Sequence, residues 1–245
     1  MRLDGDDGFT LFADAQRKLP HTDPEDRQIT IGLGCFLEVA RLTATARGFR
    51  LDAEPFPDGE PWPTLDGRPV ARVRLSKSAI NPDPLFDFVP ARRSCKEPFD
   101  LNRPVPTDAL AKLEGAAVSG TRFASTVEPG EVGALRELGW RAHEVEVNTE
   151  RTYLESVELM RIGRAEIEAN PDGIDLGGPL LDSLKLFGVL TRSTLKDPGS
   201  DAFRQGLDKY QEIFNATPAF VWLTTAEIGR ATRLNSSHSS VSRMP

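Results

Sequence analysis

The chain has 245 residues, enough for one large domain or two small ones with a sizeable core. Hydrophobic residues make up 39% and charged residues 27%, as expected of a soluble globular protein, and the net charge of −7 argues against a nucleic-acid or anionic-membrane surface. Cys35 and Cys95 fit no metal pattern; a disulfide between them is one reading and two buried thiols the expected one, while the longest uncharged stretch, Gln28 to Leu37, falls short of the roughly 20 apolar residues of a membrane span.

Read in order, the chain opens on Arg2, Asp4, Asp6 and Asp7, without the apolar run of a signal peptide. Phe9 to Ala13 predicts a short strand after a turn at Asp4 to Gly8. The clearest helix follows. Asp23 is predicted as its N-cap, Pro24 as its first residue, and Gly48 as its stop. Ile29, Ile31, Leu33, Phe36, Leu37, Val39 and Leu42 make it apolar nearly all round, so burial on most sides is expected. Gly32 and Gly34 cost helix propensity there and suggest close approach by another backbone or a ligand. Leu51 to Phe56 and Val70 to Leu75 alternate apolar with polar, as half-buried strands do. The intervening Pro and Gly residues make a turn-rich excursion, with Trp62 expected at the surface. Pro82 to Val89 reads as a short helix or turn.

The next stretch is Arg92-Arg93-Ser94-Cys95-Lys96-Glu97-Pro98-Phe99-Asp100, closed by Arg103-Pro104-Val105-Pro106. Arginine forks match phosphate oxygens bidentately, lysine adds a point charge, and a serine hydroxyl donates from close range. Pro-Val-Pro cannot continue a helix, so the cluster is expected to sit just before a rigid, extended turn. Chemistry alone leaves two readings open, a solvated basic surface or a phosphate grip. The pattern Arg-Arg-Ser-x-Lys…Phe…Pro-Val-Pro resembles the opening motif of the nitroreductase family of flavoenzymes. One extra residue separates Lys96 from Phe99 relative to that motif. The resemblance implies that Arg92, Arg93, Ser94 and Lys96 hold FMN by its phosphate and ribityl chain.

The motif's late position is similar to the Acg-like branch of that superfamily, in which two nitroreductase-like halves are fused into one chain. The resemblance therefore implies an α+β fold: a mostly antiparallel sheet flanked by helices, in two pseudo-repeated halves. The first, degenerate half would be residues 1–90. The second, residues 91–231, would carry a lid-like insertion at about 150–195. The serine-rich stretch 232–245 resembles vector read-through and is expected to be non-native. Relatives carry an Asn-x-Gln-Pro-Trp segment before the first strand and a second long helix after the last, so truncation at both ends is also an expectation.

Beyond the motif, Thr107 is predicted to cap a helix with Leu110 and Leu113, and Gly120 to Thr126 to form a strand. Helices are expected at Val132 to Val145, Glu150 to Ala169, Leu180 to Leu190 and Asp201 to Asn215, the second stopping at Asn170-Pro171-Asp172-Gly173. Phe220 to Thr224 reads as a buried strand. In the resembled branch Met160 and Phe187 could face a flavin ring and Arg161 and Arg204 an anion, although helical spacing accounts for them as core and surface residues. His21, His143 and His238 share no metal spacing, and no Rossmann or P-loop motif is present.

The resemblance implies an FMN-dependent oxidoreductase. NAD(P)H would be the transient reductant and a nitroaromatic or quinone-like molecule the acceptor. No side chain is required as acid or base, so no catalytic residue and no metal ligand are named. The alternative is a protein that binds or sequesters FMN beneath its lid with little reductase activity. Expected partners are a small-molecule electron acceptor, with neither nucleic acid nor membrane. Fusion implies a monomeric pseudo-dimer, and a homodimer is the other expectation. The location is cytoplasmic by default, or exported by a twin-arginine signal if one was lost.

Overall fold

The computed structural model describes residues 1–116 and 121–225. The strand expected at Gly120 to Thr126 therefore begins outside the described residues, as does everything expected of His238 and of 232–245. The architecture is α+β, with a mostly antiparallel set of strands and eight α-helices among the described residues. The chain divides into two compact units. One comprises described residues 1–95, 105–116, 121–125 and 221–225, and the other 96–104 and 126–220.

The first unit is built on a four-stranded sheet. Its strands are β1 (Arg2–Leu3), β2 (Gly8–Leu11), β3 (Phe49–Pro55) and β4 (Ala71–Lys77), in the order β1-β2-β4-β3 with every pairing antiparallel. Period-two alternation sets the register. Leu51 opposes Leu75, Ala53 opposes Val73 and Pro55 opposes Ala71, while Asp52 and Glu54 face Arg74 and Arg72 between them. Ala71 and Val73 join Leu11, Leu37, Phe56, Leu65 and Val70 in one buried core, with Leu51, Ala53, Phe9, Ile29 and Leu33 packed against it.

Helix α1 (Arg27–Ala46) covers that core. It starts later than its Asp23-Pro24 signal predicts, because Asp26 is left-handed at φ 54° and buried, and no helix runs through such a residue. Asp23 still serves the helix end, since its Oδ2 accepts from the Ile29 N–H at 2.9 Å. Gly48, at φ +74°, stops the helix as expected, donating to the Thr45 carbonyl at 3.1 Å. Burial is one-sided rather than all round: Leu37, Glu38 and Leu42 are buried, but Phe36 is 42% exposed. Gly32 is exposed, and a Cβ there would meet nothing within 4 Å, so it admits no close neighbour. By length and composition α1 would also suffice to cross a membrane, which corrects the expectation for this stretch. That property is shared with core helices of soluble proteins.

A 3-10 turn at Pro84–Phe88 follows β4, as Pro82 to Val89 suggested. Helix α2 (Thr107–Gly115) takes Pro106 as its N-cap, so Thr107 is its first residue rather than its cap. Strand β5 (Thr121–Thr126) pairs with β8 (Phe220–Thr225) in a two-stranded sheet. Val221 and Trp222 are 51% and 42% exposed, so β8 is a strand but not the buried one expected.

The second unit is mostly helical. Helix α3 (Pro129–Val147) runs longer than predicted, capped by Glu128, whose carboxylate accepts from the Glu131 N–H at 2.7 Å. The single helix expected over Glu150 to Ala169 is instead α4 (Glu150–Glu158), β6 (Met160–Ile162) and α5 (Gly163–Ala169). The interruption is long-range: β6 pairs in parallel with β7 (Ile174–Leu176), Met160 opposite Ile174 and Ile162 opposite Leu176. Helices α6 (Pro179–Leu186), α7 (Arg192–Lys196) and α8 (Asp201–Asn215) complete the unit. Val157, Ile162, Leu190 and Leu195 form its core. Around it the Glu166 carboxylate accepts from the Ile162 N–H, Lys185 Nζ and Arg192 Nη2 at 3.0, 2.8 and 3.1 Å.

Helix α8 meets α3 through aromatic rings. His143 lies 4.7 Å from the Tyr210 ring and 5.9 Å from Phe214, with Trp140 beside it at 5.7 Å. The approach requires Gly139, where a Cβ would stand 2.7 Å from a Phe214 ring carbon.

Candidate functional site

The sequence places its one phosphate-type cluster, residues 92–96, between the 3-10 turn and α2, and the structure fixes both approaches to it. Asp83 caps the turn, its Oδ1 accepting from the Leu85 N–H at 3.0 Å. Backbone bonds then run from Val89 N–H to the Phe86 carbonyl at 3.1 Å and from Arg92 N–H to the Phe88 carbonyl at 2.9 Å. After Arg92 the chain is irregular until a turn at Asp100, where the Arg103 N–H donates to the Asp100 carbonyl at 3.1 Å, just before the Pro104-Val105-Pro106 entry to α2.

Arg92, Arg93, Ser94 and Lys96 are all exposed. Arg93 folds back on its own backbone, Nη1 donating to the Pro90 carbonyl at 2.9 Å and to the Arg92 carbonyl at 2.7 Å. Lys96 Nζ reaches the Asp175 carbonyl at 3.4 Å. No described carboxylate forms an ion pair with any of these three cations, whereas Glu97 beside them is taken by Lys209 at 2.9 Å. Arg92, Arg93 and Ser94 belong to the first unit and Lys96 to the second. Arg92 and Arg93 thus present guanidinium donors on the first unit, and Lys96 an ammonium on the second.

Some of the other residues singled out from sequence are engaged within the fold and others stand exposed. Met160 packs against the Val157 core, and Phe187 is 78% exposed. Arg161 pairs with Asp172 at 2.9 Å, and Arg204 bonds Asp201 and the Gly199 carbonyl. Trp62 is 69% exposed, as expected. Cys95 is exposed and Cys35 half-buried, so the pair of buried thiols is not observed. Among the described residues no three His, Cys, Asp or Glu side chains group in a way that could hold a metal ion.

Two arrangements were not read from sequence. Arg41 joins Glu38 and Asp83; its i,i+3 spacing from Glu38 was visible, but Asp83 lies far along the chain. The second is the His143 nest, whose Nε2 is buried without a hydrogen-bond partner. Burial pushes the His143 pKa below its ordinary value, while Glu146 and Glu144 pull it weakly upward. The folded protein therefore takes up this proton less readily than the unfolded chain. The stability it confers is complete above the unfolded value, near 6.5, and is lost as pH falls from there through the lowered folded value. His143→Phe keeps the ring packing and is expected to flatten that loss and raise stability by about 1 kcal/mol. Thermal melts of both proteins across about pH 5 to 7.5 would check it.

Compared with models of protein families and with curated proteins, the chain matches none of them.

Proposed function

We propose that the chain is an FMN-binding oxidoreductase of the nitroreductase type, with Arg92, Arg93, Ser94 and Lys96 gripping the FMN phosphate. One observation carries this reading: three cations and a hydroxyl stand within five exposed residues, and no described carboxylate is paired with the cations. A phosphate dianion fits that donor set, since two guanidinium forks and an ammonium match its charge and oxygens. The α+β architecture, with an antiparallel sheet backed by α1, is compatible with the fold that the motif implies. The pseudo-repeated halves and the lid-like role of residues 150–195 belong to the same proposal.

Bound FMN would carry reducing equivalents from NAD(P)H to a nitroaromatic or quinone-like acceptor. The protein's own part is to bind and orient. Arg93 would exchange its bonds to the Pro90 and Arg92 carbonyls for phosphate oxygens, and Lys96 its long bond to the Asp175 carbonyl.

The test is a titration with FMN, followed by flavin absorption and fluorescence, of the wild type beside Arg92→Ala/Arg93→Ala. The double variant is expected to bind about 100-fold more weakly, at about 1.5 kcal/mol or more for each charge-assisted hydrogen bond removed. Equal affinity in the two proteins, or none in the wild type, would overturn the reading. A yellow protein that cannot oxidise NADH or NADPH would instead make it an FMN-holding protein.

A further inference from the structure

The first unit contains a charged clamp that the FMN reading does not use. Glu38 is buried on α1, and Arg41, one turn later, holds it in a two-pronged pair: Nε to Oε2 at 2.8 Å and Nη2 to Oε1 at 2.7 Å. The same Nη2 donates to Asp83 Oδ2 at 2.8 Å. Asp83 is tied in two further ways. Its N–H meets the Thr45 hydroxyl at 3.4 Å, and its other carboxylate oxygen caps the 3-10 turn through Leu85. Burial pushes the Asp83 carboxyl up, but the bonds from Arg41 and the Leu85 N–H hold it below the usual carboxylate range. Hydrogen bonding to Glu38 raises the Arg41 pKa.

Beyond Asp83 runs a relay of short-range backbone bonds: Phe86 N–H to Asp83 O at 3.0 Å, Val89 N–H to Phe86 O at 3.1 Å, and Arg92 N–H to Phe88 O at 2.9 Å. The relay ends where the basic cluster begins. A turn this short has too few bonds to hold itself in water, so its geometry must come from the anchor at its start.

We infer that the Glu38–Arg41–Asp83 clamp positions the anion-binding segment, with Arg41 and Asp83 acting through the turn that ends at Arg92. Neither residue touches the ligand in this arrangement. Their effect is to order Arg92 and Arg93 before binding, which lowers the entropy cost of gripping a phosphate. This inference rests on the FMN reading above.

The experiment compares FMN with riboflavin, which lacks the phosphate, on wild type, Asp83→Ala and Arg41→Lys. Asp83→Ala leaves the Glu38–Arg41 pair intact, so the buried carboxylate keeps its partner and the fold is retained. The FMN-to-riboflavin affinity ratio is expected to fall about tenfold in Asp83→Ala and by a similar factor in Arg41→Lys, whose single ammonium cannot hold both Glu38 oxygens and Asp83 as the guanidinium fork does. Amide exchange should rise at Val89, Ala91 and Arg92 while the β3–β4 amides stay protected. A merely structural role would weaken both ligands alike and loosen the sheet as well. A wild-type preference for FMN that survives Asp83→Ala overturns this inference alone. A wild type with no preference for FMN overturns the phosphate grip, and this inference with it.

Discussion

Asp26→Ala is expected to destabilise the first unit by about 3–5 kcal/mol, as removing one partner of a buried, hydrogen-bonded charge does. The residue is 3% exposed and its carboxylate serves two elements at once. Its Oδ2 accepts from the Leu65 N–H at 2.6 Å and from Lys18 Nζ at 2.7 Å, and Lys18 also donates to the Leu65 carbonyl. Alanine would leave the Leu65 N–H without an acceptor and Lys18 without its counter-charge. It would also lose the short polar side chain that lets aspartate adopt the left-handed backbone at φ 54°. Asparagine would keep an acceptor and tolerate that backbone, so Asp26→Asn is expected to cost about half as much. Urea unfolding should show midpoints falling from wild type through Asp26→Asn to Asp26→Ala, with one common slope. A wild-type midpoint for Asp26→Ala would mean that the Leu65 contact contributes nothing.

Leu37→Ala is expected to cost about 3–4 kcal/mol, from reduced burial together with the cavity left behind. Leu37 is 1% exposed and packs with Phe56, Leu65, Val70, Ala71 and Val73, where helix α1 covers the sheet. These neighbours hang on a fully paired strand register, so little collapse into the gap is available. Leu37→Met, nearly equal in volume, should cost less than about 1.5 kcal/mol. The same truncation at Leu186, 82% exposed, should stay within about 0.5 kcal/mol. Chemical denaturation of the three variants gives the comparison. Similar losses at Leu37 and Leu186 would show that the cluster around Leu37 is not a close-packed core.

Local pattern was legible wherever local forces decide. The alternation at Leu51 to Phe56 and Val70 to Leu75 marks two real strands, because each buries one face on its own core. Asp201 to Asn215 is helical over its expected span, with Ser200 capping the Phe203 N–H at 3.1 Å. Where distant pairing decides, the pattern misled. Met160 to Ile162 suits a helix by spacing yet is drawn out by Ile174 to Leu176, and Gly163 at φ +73° makes the break final. The Asp23-Pro24 start was overruled by Asp26, whose partner Leu65 lies in another loop. For the basic segment, composition indicated its donors and the prolines the end of regular structure before α2. Neither could show that Arg93 bonds back to Pro90, or that Asp83 is held from α1, because those partners are set by packing.

The order of the four-stranded sheet has a colloidal consequence. Its outer strands among those described are β1, only two residues long, and β3, which has seven. An unpaired strand edge is a template on which another chain can add, and that route leads to fibres. Along β3, Arg50, Asp52 and Glu54 put charge on the exposed face, and Pro55 ends the strand without an N–H to offer. A stacking copy in parallel register would set like charges side by side, Arg50 on Arg50 and Asp52 on Asp52. These polar residues thus do for solubility what the inward Leu51 and Ala53 do for folding, and the same seven-residue strand carries both.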